Sequence, residues 1–176
     1  MASWMPPDKK LLVIIPALNE EESIALVIAN VRAAVPMADV LVINDGSSDR
    51  TAAVAAASGA RVVSLPFNLG IGAAMQTGFL FAYEQGYDFA VQVDGDGQHD
   101  PEEISVILGP VIEEAADVVI GSRYIEDRGY ITPLARRVGI VILALYISLL
   151  TGRRATDPAS GFRAFNRRVI NLCARY

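Results

Sequence analysis

Two aspartates stand two residues apart in VQVDGDGQHDP (residues 91–101): Asp94 and Asp96, with Asp100 close behind and glycines at 95 and 97. In an extended segment, side chains two apart lean to the same side. Adjacent carboxylates repel unless a cation joins them. A hard cation with oxygen ligands suits the pair, Mg2+ or Mn2+, with the remaining positions left to water and phosphate. Gln98 adds a carbonyl oxygen, so the metal set is Asp94, Asp96 and Gln98. Gly95 and Gly97 let a bulky ligand approach the backbone. A solvated acidic turn would use the same residues, and a lone D-x-D does not decide between them. The position does: the pair follows a buried strand, in line with four other polar strand ends.

Other residues carry weaker signals. Asp45, in NDGSSDRT, suits a hydrogen bond from a nucleobase or ribose, and equally an Asx-type turn. Asp49 reads as a helix cap, and Glu20 as a first-turn helix acid. Gly70 and Gly72 lie in the third strand-to-helix turn, whereas a dinucleotide glycine fingerprint belongs in the first. They read as a tight turn beside a ligand, with Asn68 the better contact. Arg123 suits a diphosphate clamp or a surface salt bridge. His99 is the sole histidine, so Ser–His–Asp triads and histidine-zinc sites are poor readings.

The elements that must hold these residues alternate. LLVII (11–15) leads to a helix over about 20–33, with Asn19 as N-cap and Glu22 completing a capping box. DVLVI (39–43) leads to a helix over about 49–58 that Gly59 stops. RVVSL (61–65) leads to a helix over about 70–84, and FAVQV (89–93) to one opened by Asp100, Pro101 and Glu103. DVVI (117–120) is a fifth strand, and a last helix is expected over about 133–150. The strands are continuous β-branched runs, as in sheets covered on both faces. The chain is therefore an α/β domain with a mostly parallel sheet flanked by helices. In such sheets ligands bind beyond the carboxyl ends of the strands, where every polar cluster named above falls.

Bulk properties narrow the class. The chain has 176 residues and is 52% hydrophobic, enough for one domain with a real core. A net charge of −5 argues against a nucleic-acid surface. The single Cys173 allows no internal disulfide and suits a reducing compartment. The first ten residues hold no apolar stretch of the signal-peptide kind. VGIVILALYISLL (138–150) lies between Arg136–Arg137 and Arg153–Arg154. As a helix it would rise roughly 20 Å, short of the ~30 Å bilayer core. It is either a buried core helix or one lying in a membrane interface.

IIPALNEEESI, VINDGSSDRTA, NLGIGAAMQTG, VQVDGDGQHDP, GSRY and TDPASGFRAF occur here in an order and spacing that resembles glycosyltransferase family 2. Within it the chain is most similar to the polyprenyl-phosphate (dolichol-phosphate-like) mannosyl- and glucosyltransferases, over about residues 10–168. The resemblance implies a GT-A fold and an inverting, Mg2+- or Mn2+-dependent transfer from a nucleotide-diphosphate sugar. It implies that Pro16, Ala17, Asn19 and Glu20 line the nucleoside pocket. Asp45 with Gly46 would hold the base, Asn68 would touch the donor, and Asp94 would lie near ribose and metal. Asp96 and Gln98 would bind the metal, and Arg123 would meet the donor phosphates. Arg136 would meet the acceptor phosphate, and Ser160 and Arg163 would border the acceptor. Asp157 sits where the family has a functional aspartate. Partners implied are a nucleotide-sugar donor, a lipid-phosphate acceptor and the membrane surface at the cytoplasmic, inner face of the plasma membrane. An apolar face on helix 138–150 would be covered there or in a homodimer.

A lipid phosphate is already ionised at pH 7 and needs no strong base; a sugar hydroxyl would need one, with Asp157 or His99 the candidates. Family members usually continue beyond GFRAFNRR, so the chain reads as one catalytic domain, 1–176, shortened at its C-terminal end. Two other functions compete: a module that binds a nucleotide sugar without transferring it, and a transferase acting on a sugar hydroxyl of cell-envelope polysaccharide. A nucleotidyltransferase would need a basic loop after the first strand, and PALNEEES has no lysine or arginine.

Overall fold

The computed structural model describes residues 5–121, 146, 149, 157 and 160–175. In chain order these form β1 (Leu11–Ala17), α1 (Ile24–Ala34), β2 (Asp39–Asn44), α2 (Thr51–Ala57), β3 (Arg61–Ser64) and α3 (Ile71–Glu84). Then come β4 (Phe89–Gln92), a 3-10 turn (Pro101–Glu103), α4 (Ile104–Ile112), β5 (Val118–Ile120), β6 (Arg163–Asn166) and α5 (Arg167–Cys173).

The strands build one sheet in the order β3-β2-β1-β4-β6-β5. β1 is central, paired in parallel with β2 (Ile15 opposite Val42) and with β4 (Ile14 opposite Gln92). β6 runs antiparallel to both β4 and β5. All seven residues of β1 are buried. Successive side chains point to opposite faces, so Val13 and Ile15 pack with Val27 and Ile28 of α1 and Leu108 of α4. Leu12 and Ile14 pack with Met75 and Phe79 of α3 and Ile170 of α5. Helices on both faces are the reason β1 reads as an unbroken apolar run.

Two expectations are corrected. The first helix begins at Ile24, not at residue 20. Asn19 lies in the left-handed region (φ 56°), and its side-chain oxygen accepts from the Ser48 backbone N–H rather than from α1. It ties two loops together instead of capping a helix, and Ser23 takes the N-cap position with no side-chain cap bond. The sequence reading also passed over β6 and α5. The expected helix over 133–150 lies outside the described residues except Tyr146 and Leu149, which are helical and exposed. No helix among the described residues is long and apolar enough to cross a membrane. The Asp100 cap is present: its Oδ1 accepts from Glu102 N at 3.0 Å, with Pro101 at N1.

Candidate active site

The loops after β1, β2, β3 and β4 interlock at the carboxyl edge of the sheet. The Ala17 carbonyl accepts from Asp45 N at 2.9 Å, joining the ends of β1 and β2. Asn19 N donates to Ser47 Oγ and Glu20 N to Thr51 Oγ1, which brings the first loop onto the second. Asp49 accepts from the backbone N–H groups of Thr51 and Glu21. The hydrogen bond from the Thr51 hydroxyl is the main reason its carboxyl stays below the usual carboxylate range, as suits an anion at the start of α2.

Asp45 is only 5% exposed, and both its oxygens are engaged. Oδ1 accepts from Leu69 N at 2.8 Å and Oδ2 from Gly70 N at 2.9 Å. The carboxylate therefore straps the loop after β3 onto the end of β2. Gly46 (φ 71°) makes this possible: any Cβ there would collide with the backbone of Phe67 and Asn68. Asn68 is exposed, and its side chain accepts from Gly70 N.

The fourth loop carries the paired acids. A Cβ on Gly95 would sit 3.3 Å from the Pro16 carbonyl oxygen and 3.5 Å from Glu20 Cγ, so this loop packs on the end of β1. Pro16 and Ala17 themselves are buried. The Ser23 hydroxyl links the two loops, 2.7 Å from Glu20 Oε2 and 2.8 Å from the Gly95 carbonyl oxygen. Asp96 is exposed and accepts from Gln98 N at 2.9 Å, with Gln98 also exposed. Asp94 is held more closely. Oδ1 lies 3.3 Å from Gln92 Nε2, and Oδ2 lies 3.1 Å from His99 Nε2. Its carboxylate occupies the space that a side chain on Gly161 would fill.

Asp94, Ser160 and Arg163 line one cavity of about 430 Å³, with Gln92 and with apolar walls from Met75, Phe79 and Phe165. Two of the three expected acceptor residues, Ser160 and Arg163, thus line the same cavity as the expected metal ligand Asp94. Arg163 Nε donates to the Ser160 carbonyl oxygen at 2.8 Å. Asp157 is buried, 2% exposed, and its carbonyl accepts from Ser160 N. Arg123 and Arg136 lie outside the described residues.

Among the described residues no three His, Cys, Asp or Glu side chains gather around a metal-sized point. A closed protein cage is therefore not what the acids form. Mg2+ or Mn2+ needs less, one or two carboxylates with substrate phosphates and water completing the shell. Asp94 in its cradle beside Gly161, with the Asp96 carboxylate and the Gln98 amide oxygen, is an all-oxygen donor set of that kind.

Sequence reasoning missed Gln92, Gly161 and Phe162, which hold Asp94 and His99 in place, and Ser23, which bridges two loops. The quoted ASGFRAF contains two of these, but nothing local marks them.

A mostly parallel sheet whose carboxyl edge gathers acids and loops is the GT-A arrangement of nucleotide-diphospho-sugar transferases. The chain belongs to glycosyl transferase family 2, whose model matches residues 12–172. It is similar to the polyprenol monophosphomannose synthase of Mycolicibacterium smegmatis, 36% identical over 93% of this chain and 64% of that protein. It is equally similar to the undecaprenyl-phosphate mannosyltransferase of Micrococcus luteus, 36% identical over 94% of this chain and 71% of that one. The glucosyl-3-phosphoglycerate synthase of Mycobacterium tuberculosis, solved with Mn2+ and UDP-glucose, superposes with a TM-score of 0.72 at 26% identity. That alignment covers 92% of this chain and 57% of the solved one. The chain thus spans between about half and three quarters of the length of these relatives.

Proposed function

We propose that this domain transfers a hexosyl group, with inversion, from a UDP- or GDP-linked sugar to a polyprenyl phosphate, using Mg2+ or Mn2+. One observation supports the reading: Asp94 lines the same cavity as Ser160 and Arg163, so the residue read as a metal ligand and those read as bordering the acceptor share one space. The names of the 36%-identical relatives support the acceptor class, and the Mn2+ and UDP-glucose in the solved neighbour support the donor and cation.

Asp94, Asp96 and Gln98 would hold the cation, which offsets negative charge developing on the departing nucleoside diphosphate. An oxygen of the acceptor phosphate attacks the anomeric carbon as the bond to the diphosphate breaks. That oxygen is already anionic, so no proton has to be removed. Glu20, Asn19, Asp45, Gly46 and Asn68 would surround the nucleoside, with Pro16 and Ala17 forming the floor. Arg123 would meet the donor phosphates and Arg136 the acceptor phosphate.

The acceptor's chain stays in a bilayer, since each CH₂ moved to water costs about 0.8 kcal/mol. The enzyme must then work at the membrane surface, which we place at the inner face of the plasma membrane. Tyr146 and Leu149, three apart in a helix and 61% and 83% exposed, suit a face laid on lipid or covered in a homodimer.

A second reading has its own support. The solved glucosyl-3-phosphoglycerate synthase has also been seen with phosphoglyceric acid, a small soluble phosphate compound, beside UDP-glucose and Mn2+. Radiolabelled UDP- and GDP-sugars, offered with polyprenyl phosphate or with phosphoglyceric acid, separate the two. Label entering the organic phase only with polyprenyl phosphate supports the proposal. Label on phosphoglyceric acid alone replaces the acceptor, and bound donor without transfer to either reduces the domain to a binding module.

A further inference from the structure

His99 was a candidate base, but its surroundings give it another task. Its side chain is 5% exposed. Its ring lies against Phe162, with centroids 5.2 Å apart and planes 16° from parallel. Phe162 is itself 3% exposed, and its carbonyl accepts from Gly121 N at 2.8 Å, so the surface on which the imidazole rests belongs to the core. A ring stacked on a core residue has its plane fixed, and with it the direction in which Nε2 points. That atom points at Asp94 Oδ2, 3.1 Å away. Against an ionised carboxylate Nε2 carries the proton and donates it. Gln92, 5% exposed, approaches the other oxygen at 3.3 Å, and Gly161 leaves the carboxylate no room to retreat toward β6.

We infer that His99 is a positioning residue: held by its stack on Phe162, it fixes the Asp94 carboxylate in the orientation that receives the divalent cation. The inference rests on the metal reading above. A ligating carboxylate that can rotate must be ordered when the ion binds. One already held by a donor on each oxygen has lost that freedom beforehand.

Two substitutions separate the hydrogen bond from the packing. His99→Phe keeps a flat ring on Phe162 and removes the donor. His99→Gln keeps an N–H donor of similar reach and removes the ring. Mn2+ binding is followed by the loss of the free-ion electron paramagnetic resonance signal, with UDP or GDP present, and nucleotide binding without metal is measured alongside. Groups that hydrogen-bond a metal ligand from behind are worth about 10- to 100-fold in metal affinity. His99→Phe should weaken Mn2+ binding by that much, His99→Gln should stay within about threefold of wild type, and metal-free nucleotide binding should not change. Wild-type Mn2+ affinity in His99→Phe overturns the inference, as does the reverse order, with His99→Gln the weak variant. If His99→Gln fails to fold, His99→Phe still decides, since it preserves size and stack. If wild type and Asp96→Asn bind Mn2+ equally poorly, the metal reading itself has failed and this inference falls with it. Tight wild-type binding with an unchanged His99→Phe removes the positioning role alone.

Discussion

Gly161→Ala places one methyl group where the structure has none to spare. A Cβ at residue 161 would stand under 3.0 Å from both carboxylate oxygens of Asp94, whereas ordinary contact begins near 3.4 Å. The carboxylate must then move by on the order of 1 Å, a displacement that can cost about 10²-fold in rate when it affects a reacting constellation. The shift also breaks the contacts to His99 at 3.1 Å and Gln92 at 3.3 Å. Two such bonds contribute roughly 1 kcal/mol each. The stability loss is limited because the displaced atoms end a side chain that is 31% exposed and can swing toward solvent. The expected result is a folded protein, less stable by about 1–2 kcal/mol, whose kcat/KM and Mn2+ affinity fall about 10²-fold, or ~2.7 kcal/mol of transition-state stabilisation. Gly109→Ala is the matched control. Gly109 lies inside α4, away from the acids, with nothing but its chain neighbours near its would-be Cβ, so the same substitution there should leave Mn2+ affinity and turnover unchanged, any stability change coming from the Pro110 that follows it. Urea denaturation and Mn2+ titration read both variants. Wild-type metal affinity and turnover in Gly161→Ala would refute the claim that the Asp94 position matters.

Asp96→Asn should lower turnover by about 10²-fold or more with an unchanged melting temperature, because the residue is exposed beyond the end of β4. Asp45→Asn turns one acceptor into an N–H group facing the Leu69 and Gly70 amides, and should cost about 1–3 kcal/mol in urea denaturation. Burial, and then the hydrogen bond its hydroxyl donates to Asp39 at 2.7 Å, push the Tyr87 pKa up to about 12 from an ordinary 10.0. A raised folded pKa contributes stability that is complete below the unfolded value and lost as pH rises through the folded one. Stability should therefore fall between about pH 10 and 12, and Tyr87→Phe should flatten that part of the profile. Co-sedimentation with anionic liposomes should decline with added salt and in Arg136→Ala/Arg137→Ala, each arginine contributing around 1 kcal/mol at the surface; indifference to liposomes at low salt removes the membrane proposal.

The parallel part of the sheet was legible because each of its strands is a short β-branched run followed by turn residues and a helix. β6 was not. Its four residues, RAFN, begin and end in polar side chains, and only pairing with Val91 and Val119 makes Ala164 part of a strand. The helix after it did carry a readable signal, Asn166, whose side chain caps α5 by accepting from Val169 N at 3.1 Å. The start of α1 was misread for a different reason. Asn19 and Glu22 have the spacing of a capping box, but Ser48, 29 residues on, claims the Asn19 oxygen. A local pattern lost to a tertiary contact.

The same distinction runs through the site. Which loops would converge could be read from sequence, because strand ends in an α/β sheet meet at one edge and the acids lie on them. What each acid is bonded to could not. Asp45 reaches amides 24 and 25 residues away, and Asp94 rests against Gly161, just before an antiparallel strand that the sequence did not announce. Those bonds change what the residues can do. Asp45 meets any base as an acceptor already committed to two backbone donors, and so as part of a fixed wall. Asp94 meets any cation with its rotation already restricted. His99, only a letter beside the acids in the sequence, has its Nε2 on Asp94. An acceptor that brings its own negative charge is the kind this arrangement can use without moving a proton first.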